Sequence, residues 1–176
     1  MATVVLTGFM GTGKTSIGQR LAARLGRPFV DTDVLIERRE GRSIAAIFAA
    51  DGEAHFRAAE RRAIAEAIAV PDAVIATGGG AIVDPDNLAA LRAAAPLVCL
   101  TARADVILAR THAGGAVRPL LQGDDPARRI ADLLTQRAPA YARADLTLDT
   151  SDRPLDDLVA ELESYVRTQP RRQVPA

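Results

Sequence analysis

Apolar positions along this chain fall into two kinds of stretch that alternate. Short, nearly unbroken runs rich in β-branched and aliphatic residues recur at 3–7, 28–31, 73–76, 96–101 and 144–150. Apolar throughout rather than at every second position, they read as strands buried on both faces. Between them the spacing turns helical. Ile17, Leu21 and Leu25 mark one face of a first helix, stopped by Gly26 and Pro28. A helix over 34–39 ends near Gly41, Ser43 caps a short one to residue 50, and a longer one spans 53–70. Asp84-Pro85, a cap followed by proline at the first helical position, opens a helix to 94. Further helices are predicted over 104–110, from Asp125-Pro126 to about 138, and over 155–166. Strands separated by helices imply an α/β fold with a five-stranded parallel sheet covered on both faces, three layers in all. The helical cluster between the second and third strands reads as an insertion over one edge of the sheet. Two stretches break the pattern: 111–123, rich in glycine and weakly periodic, reads as a mobile surface loop and candidate lid, and 169–176 as a frayed tail.

Composition narrows the function classes. A chain of 176 residues fits one domain with a real core. Charges balance at 22 against 22, which gives no field for nucleic acid or a membrane surface, and 3% aromatics leave little for base stacking. No apolar run is long enough to span a bilayer, and the N-terminus lacks the basic segment of a signal peptide. The single cysteine, Cys99, sits in a predicted buried strand and reads as a small core hydrophobe. The expected compartment is the cytoplasm.

Chemistry enters at Gly8-Phe9-Met10-Gly11-Thr12-Gly13-Lys14-Thr15, which fits the phosphate-binding pattern G-x-x-x-x-G-K-[ST] between a strand and a helix. That arrangement aims backbone N–H groups from Gly11 to Ser16, and a positive helix end, at a phosphate. Lys14 is the only lysine beside 21 arginines, a compact ammonium kept where one is needed to reach the β- and γ-phosphates. The Thr15 hydroxyl is placed to ligate Mg²⁺. The chain is therefore expected to bind a nucleoside triphosphate.

Four further stretches sit where ligands of such sheets bind, beyond the carboxyl ends of the strands. Asp31 and Asp33, two apart at the end of the second strand, point to one side if the chain there is extended. Asp31 suits Mg²⁺ and Asp33 a substrate hydroxyl, as acceptor or base; the competing reading is a helix N-cap with a second acid in its first turn. Glu53, Arg57 and Glu60 are spaced as ordinary helix-face pairs. Gly78-Gly79-Gly80 after a strand lets backbone N–H groups approach a ligand, or is simply a flexible turn. Arg118 on the irregular loop could close on a phosphoryl group or face solvent. Arg110 and Arg137 are open in the same way, and His55 and His112 show no metal-ligand spacing.

Taken together, the P-loop, Asp31-Thr32-Asp33, Gly41-Arg42-Ser43-Ile44, Gly52-Glu53 with Phe56-Arg57 and Glu60, the glycine triplet and Arg118-Pro119-Leu120-Leu121 resemble the bacterial shikimate kinases from about residue 3 to 168. The resemblance implies a nucleoside-monophosphate-kinase-like P-loop fold in one domain over 1–168, with a substrate-binding region at about 32–60, a lid at about 111–123 and a tail from 169. It implies ATP- and Mg²⁺-dependent phosphorylation of the 3-hydroxyl of shikimate, by a monomer. Carried onto matching positions, Asp33, Arg57, Gly79, Gly80 and Arg137 would hold shikimate, and Phe48, Phe56, Pro119 and Leu120 would surround its ring. Lys14, Asp33 and Arg118 would act at the reacting centre, with Thr15 and Asp31 serving the metal. Arg110 and Arg153 would border the nucleotide, Arg153 on a looser match. The competing expectations are another small-molecule kinase of this fold, such as a gluconate kinase, and a nucleotide- or shikimate-sensing module without turnover. A nucleic-acid-dependent P-loop ATPase is disfavoured by the missing basic face.

Overall fold

The computed structural model describes residues 3–113, 121 and 125–170. Most of the expected lid, with Arg118, Pro119 and Leu120, lies outside the described residues, as does most of the tail. Strands β1 (Val4–Gly8), β2 (Phe29–Asp31), β3 (Val74–Ala76), β4 (Leu97–Thr101) and β5 (Leu146–Asp149) form one parallel sheet in the order β2-β3-β1-β4-β5. The first strand is thus the central one, with Val5 opposite Ile75 on one side and Leu97 on the other.

Alternate residues of the buried strands feed two cores. Val4, Leu6, Val98 and Leu100 pack against Ile17 and Leu21 of α1 (Lys14–Leu25) and Leu158, Leu162 and Val166 of α7 (Leu155–Thr168). Val5, Ile75, Leu97 and Cys99 face the opposite layer. That layer contains α4 (Pro85–Ala94), α5 (Ala104–Ala113), α6 (Pro126–Tyr141) and the distal part of α3 (Ile44–Ile68). Both faces being apolar explains why the strands read as continuous hydrophobic runs. A smaller cluster of Ile36, Ile47, Phe56, Ala59 and Ala63 joins α2 (Thr32–Glu40) to α3 above the β2 edge. No helix among the described residues is long and apolar enough to cross a membrane.

Element boundaries differ from the sequence expectation in five places. Helix α2 begins at Thr32, so Asp33 is already helical and the extended i, i+2 geometry expected for the two aspartates does not hold. The two helices expected over 43–50 and 53–70 form one run, α3, broken only at Gly52 with φ 78° and ψ −179°. Helix α5 reaches Ala113, and α6 runs past Pro139 to Tyr141. A single 3-10 turn, Ala81–Val83, follows the glycine triplet where no element was expected.

Candidate active site

The phosphate-binding end is built by β1, the loop after it and the start of α1. Gly11 and Gly13 hold positive φ of 79° and 93°, which turns the loop so that α1 starts at Lys14. The first turn of α1 carries no acidic residue and no side-chain cap. Its N–H groups and the positive helix end are therefore available to an anion. Lys14 Nζ curls back over the loop and donates to the carbonyls of Gly8 (2.8 Å) and Phe9 (2.9 Å). Thr12 is buried and bonds its own loop at Phe9 O, 2.7 Å. The far wall comes from distant sequence: Arg110 donates to Gly11 O and to Thr150 O, and the Thr150 hydroxyl lies 3.0 Å from Thr12 O. Arg110 thus braces the loop against the end of β5.

Beside it opens a cleft of about 620 Å³, floored by the glycine triplet and walled by α2, α3 and α6. Four guanidinium nitrogens meet over this floor. A methyl group built on Gly80 would lie 3.0 and 3.2 Å from Arg57 Nη2 and Nη1 and 3.4 Å from Arg137 Nη2, while one on Gly79 would lie 3.4 Å from Arg137 Nη1. Only glycine leaves room for both arginines and a ligand. Arg57 is held by Glu60 (2.7 Å) and by Glu53 (3.0 Å), and its cation rests 5.2 Å from the Phe56 ring. Arg137 is buried, with its guanidinium 5.3 Å from the ring of Phe9. Its Nη1 has no hydrogen-bond acceptor among the described residues. Two carboxylate oxygens are in the same position: Asp33 Oδ1 and Glu60 Oε1 are buried without a donor, and each lies 2.9 Å from a methyl position on Gly78. Polar atoms buried without partners are costly unless a ligand or water completes them. Here they surround one cleft, with cations over one end of its floor and acceptors over the other.

Electrostatics sharpen the roles. Burial, reinforced by the negative charge of Asp31 and opposed by Lys14, pushes the Asp33 carboxyl up to about 7. Burial likewise raises Glu60, against the pull of Arg57 and Arg137. Asp31 remains the helix cap expected as an alternative: its Oδ1 accepts from the Asp33 N–H at 3.0 Å, while its Oδ2 accepts from the Thr15 hydroxyl at 3.0 Å. Cap and metal ligand are compatible, since a different oxygen serves each. No cluster of three or more His, Cys, Asp or Glu side chains able to hold a metal occurs among the described residues. A hydroxyl, one carboxylate and phosphate oxygens, however, match the sparse protein ligation usual for Mg²⁺. Thr15 and Asp31 fit that ion.

Of the sequence-predicted residues, Thr15, Asp31, Asp33, Arg57, Gly79, Gly80 and Arg137 line this one cleft, with Phe48 and Phe56 stacked 4.7 Å apart in its wall. Lys14 and Arg110 belong to the adjoining loop. Arg153 is exposed and ion-paired to Glu161 at 2.6 Å. His55, read as an uncommitted polar residue, pairs with Glu40 at 3.1 Å. Sequence reasoning gave no role to Met10, Val34 and Ile44, which also line the cleft, nor to Tyr141. Burial of Arg137 also replaces the surface position that its charge alone suggested.

A family profile described as shikimate kinase matches residues 10–167. The chain is 42% identical to the shikimate kinase of Caldanaerobacter subterraneus, over 97% of its own length and 100% of the relative's. The chain belongs to the shikimate kinase family. Another member, from Geobacter sulfurreducens, is 48% identical over 93% of this chain and 90% of the relative. Among solved structures, shikimate kinase from Acinetobacter baumannii in complex with shikimate superposes with a TM-score of 0.90 at 36% identity, covering 96% of this chain and 94% of that one. Shikimate kinase from Aquifex aeolicus gives 0.78 at 30% identity, covering 94% and 96%. Membership of the shikimate kinases accounts for the pairing of a P-loop with a second cleft lined by two arginines.

Proposed function

We propose that this protein transfers the γ-phosphoryl group of ATP to the 3-hydroxyl of shikimate. The observation that carries the reading is the convergence of Arg57 and Arg137 on the Gly79–Gly80 floor, opposite a half-buried Asp33, one loop away from Lys14. Shikimate is a small ring with one carboxylate and several hydroxyls. Two guanidinium forks suit the carboxylate, and the unpartnered oxygens of Asp33 and Glu60 with the Gly79 and Gly80 N–H groups suit the hydroxyls. Phe48 and Phe56 offer an apolar wall to the ring. In the reaction the hydroxyl oxygen forms the new bond to the γ-phosphorus, the bond from that phosphorus to the β–γ bridging oxygen breaks, and the hydroxyl proton passes to Asp33. A carboxylate with its pKa near neutrality can take that proton and return it to solvent. Lys14 and the α1 N-terminus neutralise charge building on the phosphates, and Arg118, on its sequence pattern, adds a further cation there. Thr15 and Asp31 would hold Mg²⁺, which would supply positive charge against the phosphates. Arg110 and Arg153 are proposed to border the nucleotide.

The test is ADP release from ATP and Mg²⁺ with shikimate, gluconate, quinate or no acceptor. Release that requires shikimate is expected. Release with gluconate would reassign the substrate within this fold. No release with any acceptor, from protein that still binds ATP, would favour the sensing module.

A further inference from the structure

We infer that Tyr141 is a positioning residue for the acceptor site, resting on the shikimate reading above. Its hydroxyl donates to the Gly79 carbonyl at 2.6 Å from a ring that is 92% buried, being 8% exposed. Burial pushes this phenol up to about 12, so the proton stays on the oxygen at any working pH. Backbone bonds hold the ends of the glycine triplet, since the Gly78 and Gly80 carbonyls accept from the N–H groups of Ala81 and Val83 at 3.1 Å, and the Gly79 carbonyl between them is left to Tyr141. The triplet has no side chains, and it lies between the last residue of β3 and a single 3-10 turn. Three side chains add to those backbone bonds, two on the triplet and one on the residue after it. The Gly78 N–H donates to the Thr32 hydroxyl (3.2 Å), Tyr141 holds the Gly79 carbonyl, and the Asn87 amide donates to the Ala81 carbonyl (3.1 Å). Because a peptide unit is planar, fixing the Gly79 carbonyl also fixes the direction of the Gly80 N–H attached to the same carbon. That N–H belongs to the group proposed to read a substrate hydroxyl.

Tyr141 lies four residues, about one helical turn, beyond Arg137 on α6. One helix face therefore sets both the guanidinium over the floor and the orientation of the floor itself. The two residues define the distance between the anion clamp and the N–H donors, which must match the length of the acceptor molecule.

The experiment is Tyr141→Phe, which removes one oxygen and keeps the ring. Expected are a rise of about five- to twentyfold in KM for shikimate, the size of one lost orienting hydrogen bond, with kcat within about twofold and KM for ATP unchanged. Unchanged KM for shikimate, or a fall in kcat alone with a lowered Tm, would make the residue merely structural and overturn the inference. Backbone ¹⁵N relaxation of the free parent enzyme gives an answer even if the variant does not fold. Order parameters of about 0.85 at Gly79 and Gly80 are expected, and values below about 0.6 would show a loop that nothing holds. If the parent enzyme releases ADP only with another acceptor, the shikimate reading fails whatever the relaxation shows; a mobile loop in a shikimate-dependent enzyme sinks the Tyr141 role alone.

Discussion

Replacing Arg57 with alanine removes a guanidinium that touches a buried carboxylate on one side and the acceptor cleft on the other. The first loss leaves Glu60, 1% exposed in its side chain, without its closest cation. Arg57→Ala should lower stability by about 3 kcal/mol at pH 8, read from urea midpoints. The loss should shrink toward pH 5, because burial already raises Glu60 and protonation removes its unpaired charge. Shikimate affinity should fall by about 2 kcal/mol or more while ATP binding holds. Asp33 carries the opposite sign. Its folded pKa of about 7 stands above the ordinary 3.8, so its contribution to stability is present below about pH 4 and lost as pH rises through 7. Asp33→Asn should therefore raise Tm at pH 8 by a few degrees over the parent, have little such effect near pH 4, and abolish shikimate phosphorylation. In the parent, kcat/KM for shikimate should climb with unit slope to a plateau above pH 7 as this carboxyl ionises. Lys14→Ala should cut kcat by at least about a hundredfold, since the loop would lose the cation proposed to meet the phosphates. Much of this residue scale was legible from sequence, because Lys14, Asp33 and Arg57 stand in motifs whose order is specific. The Arg57–Glu60 pair was legible as well, but the burial of Glu60 and the bond from Tyr141 to the Gly79 carbonyl were not, since both depend on what the fold brings together.

At the scale of elements, the break in α3 has the clearest consequence. Gly52 sits at φ 78°, ψ −179°, a conformation open to glycine and strained for a side chain. The bend lets Phe48, on the near side, stack against Phe56 on the far side. Gly52→Ala should cost about 1–3 kcal/mol by denaturant titration, although a methyl there would meet nothing within 4 Å. That pairing of open space with lost stability marks a backbone effect. Strands and their parallel arrangement followed from the pattern, because burial on both faces writes an unmistakable apolar run. Helix ends followed less well. The helix expected to end at about 138 continues through Pro139 to Tyr141. Asp31 and Asp33 allowed an extended pair or a helix cap with a second acid; the Asp31 side chain caps α2, and Asp33 lies in its first turn.

For the whole molecule, the order β2-β3-β1-β4-β5 and the brace on the P-loop set one collective property. The P-loop at residues 8–16 is braced by Arg110 and Thr150, so the nucleotide proposed to bind there would tie the two ends of the described chain together. ADP at about one hundred times its Kd should stabilise the protein by about 2.7 kcal/mol, a rise in Tm of about 5–10 °C. Thr150→Ala should reduce that rise. The same geometry governs the order of events during synthesis. β1 and the P-loop are made before the rest of the sheet: the strands that flank β1 begin at residues 74 and 97, and the loop's far wall is complete only with residue 150. A nascent chain must therefore carry the P-loop lysine unbraced until residue 150 has been made, and affinity for nucleotide is expected to rise as β5 docks. Retention on an ADP resin would therefore separate finished chains from stalled ones.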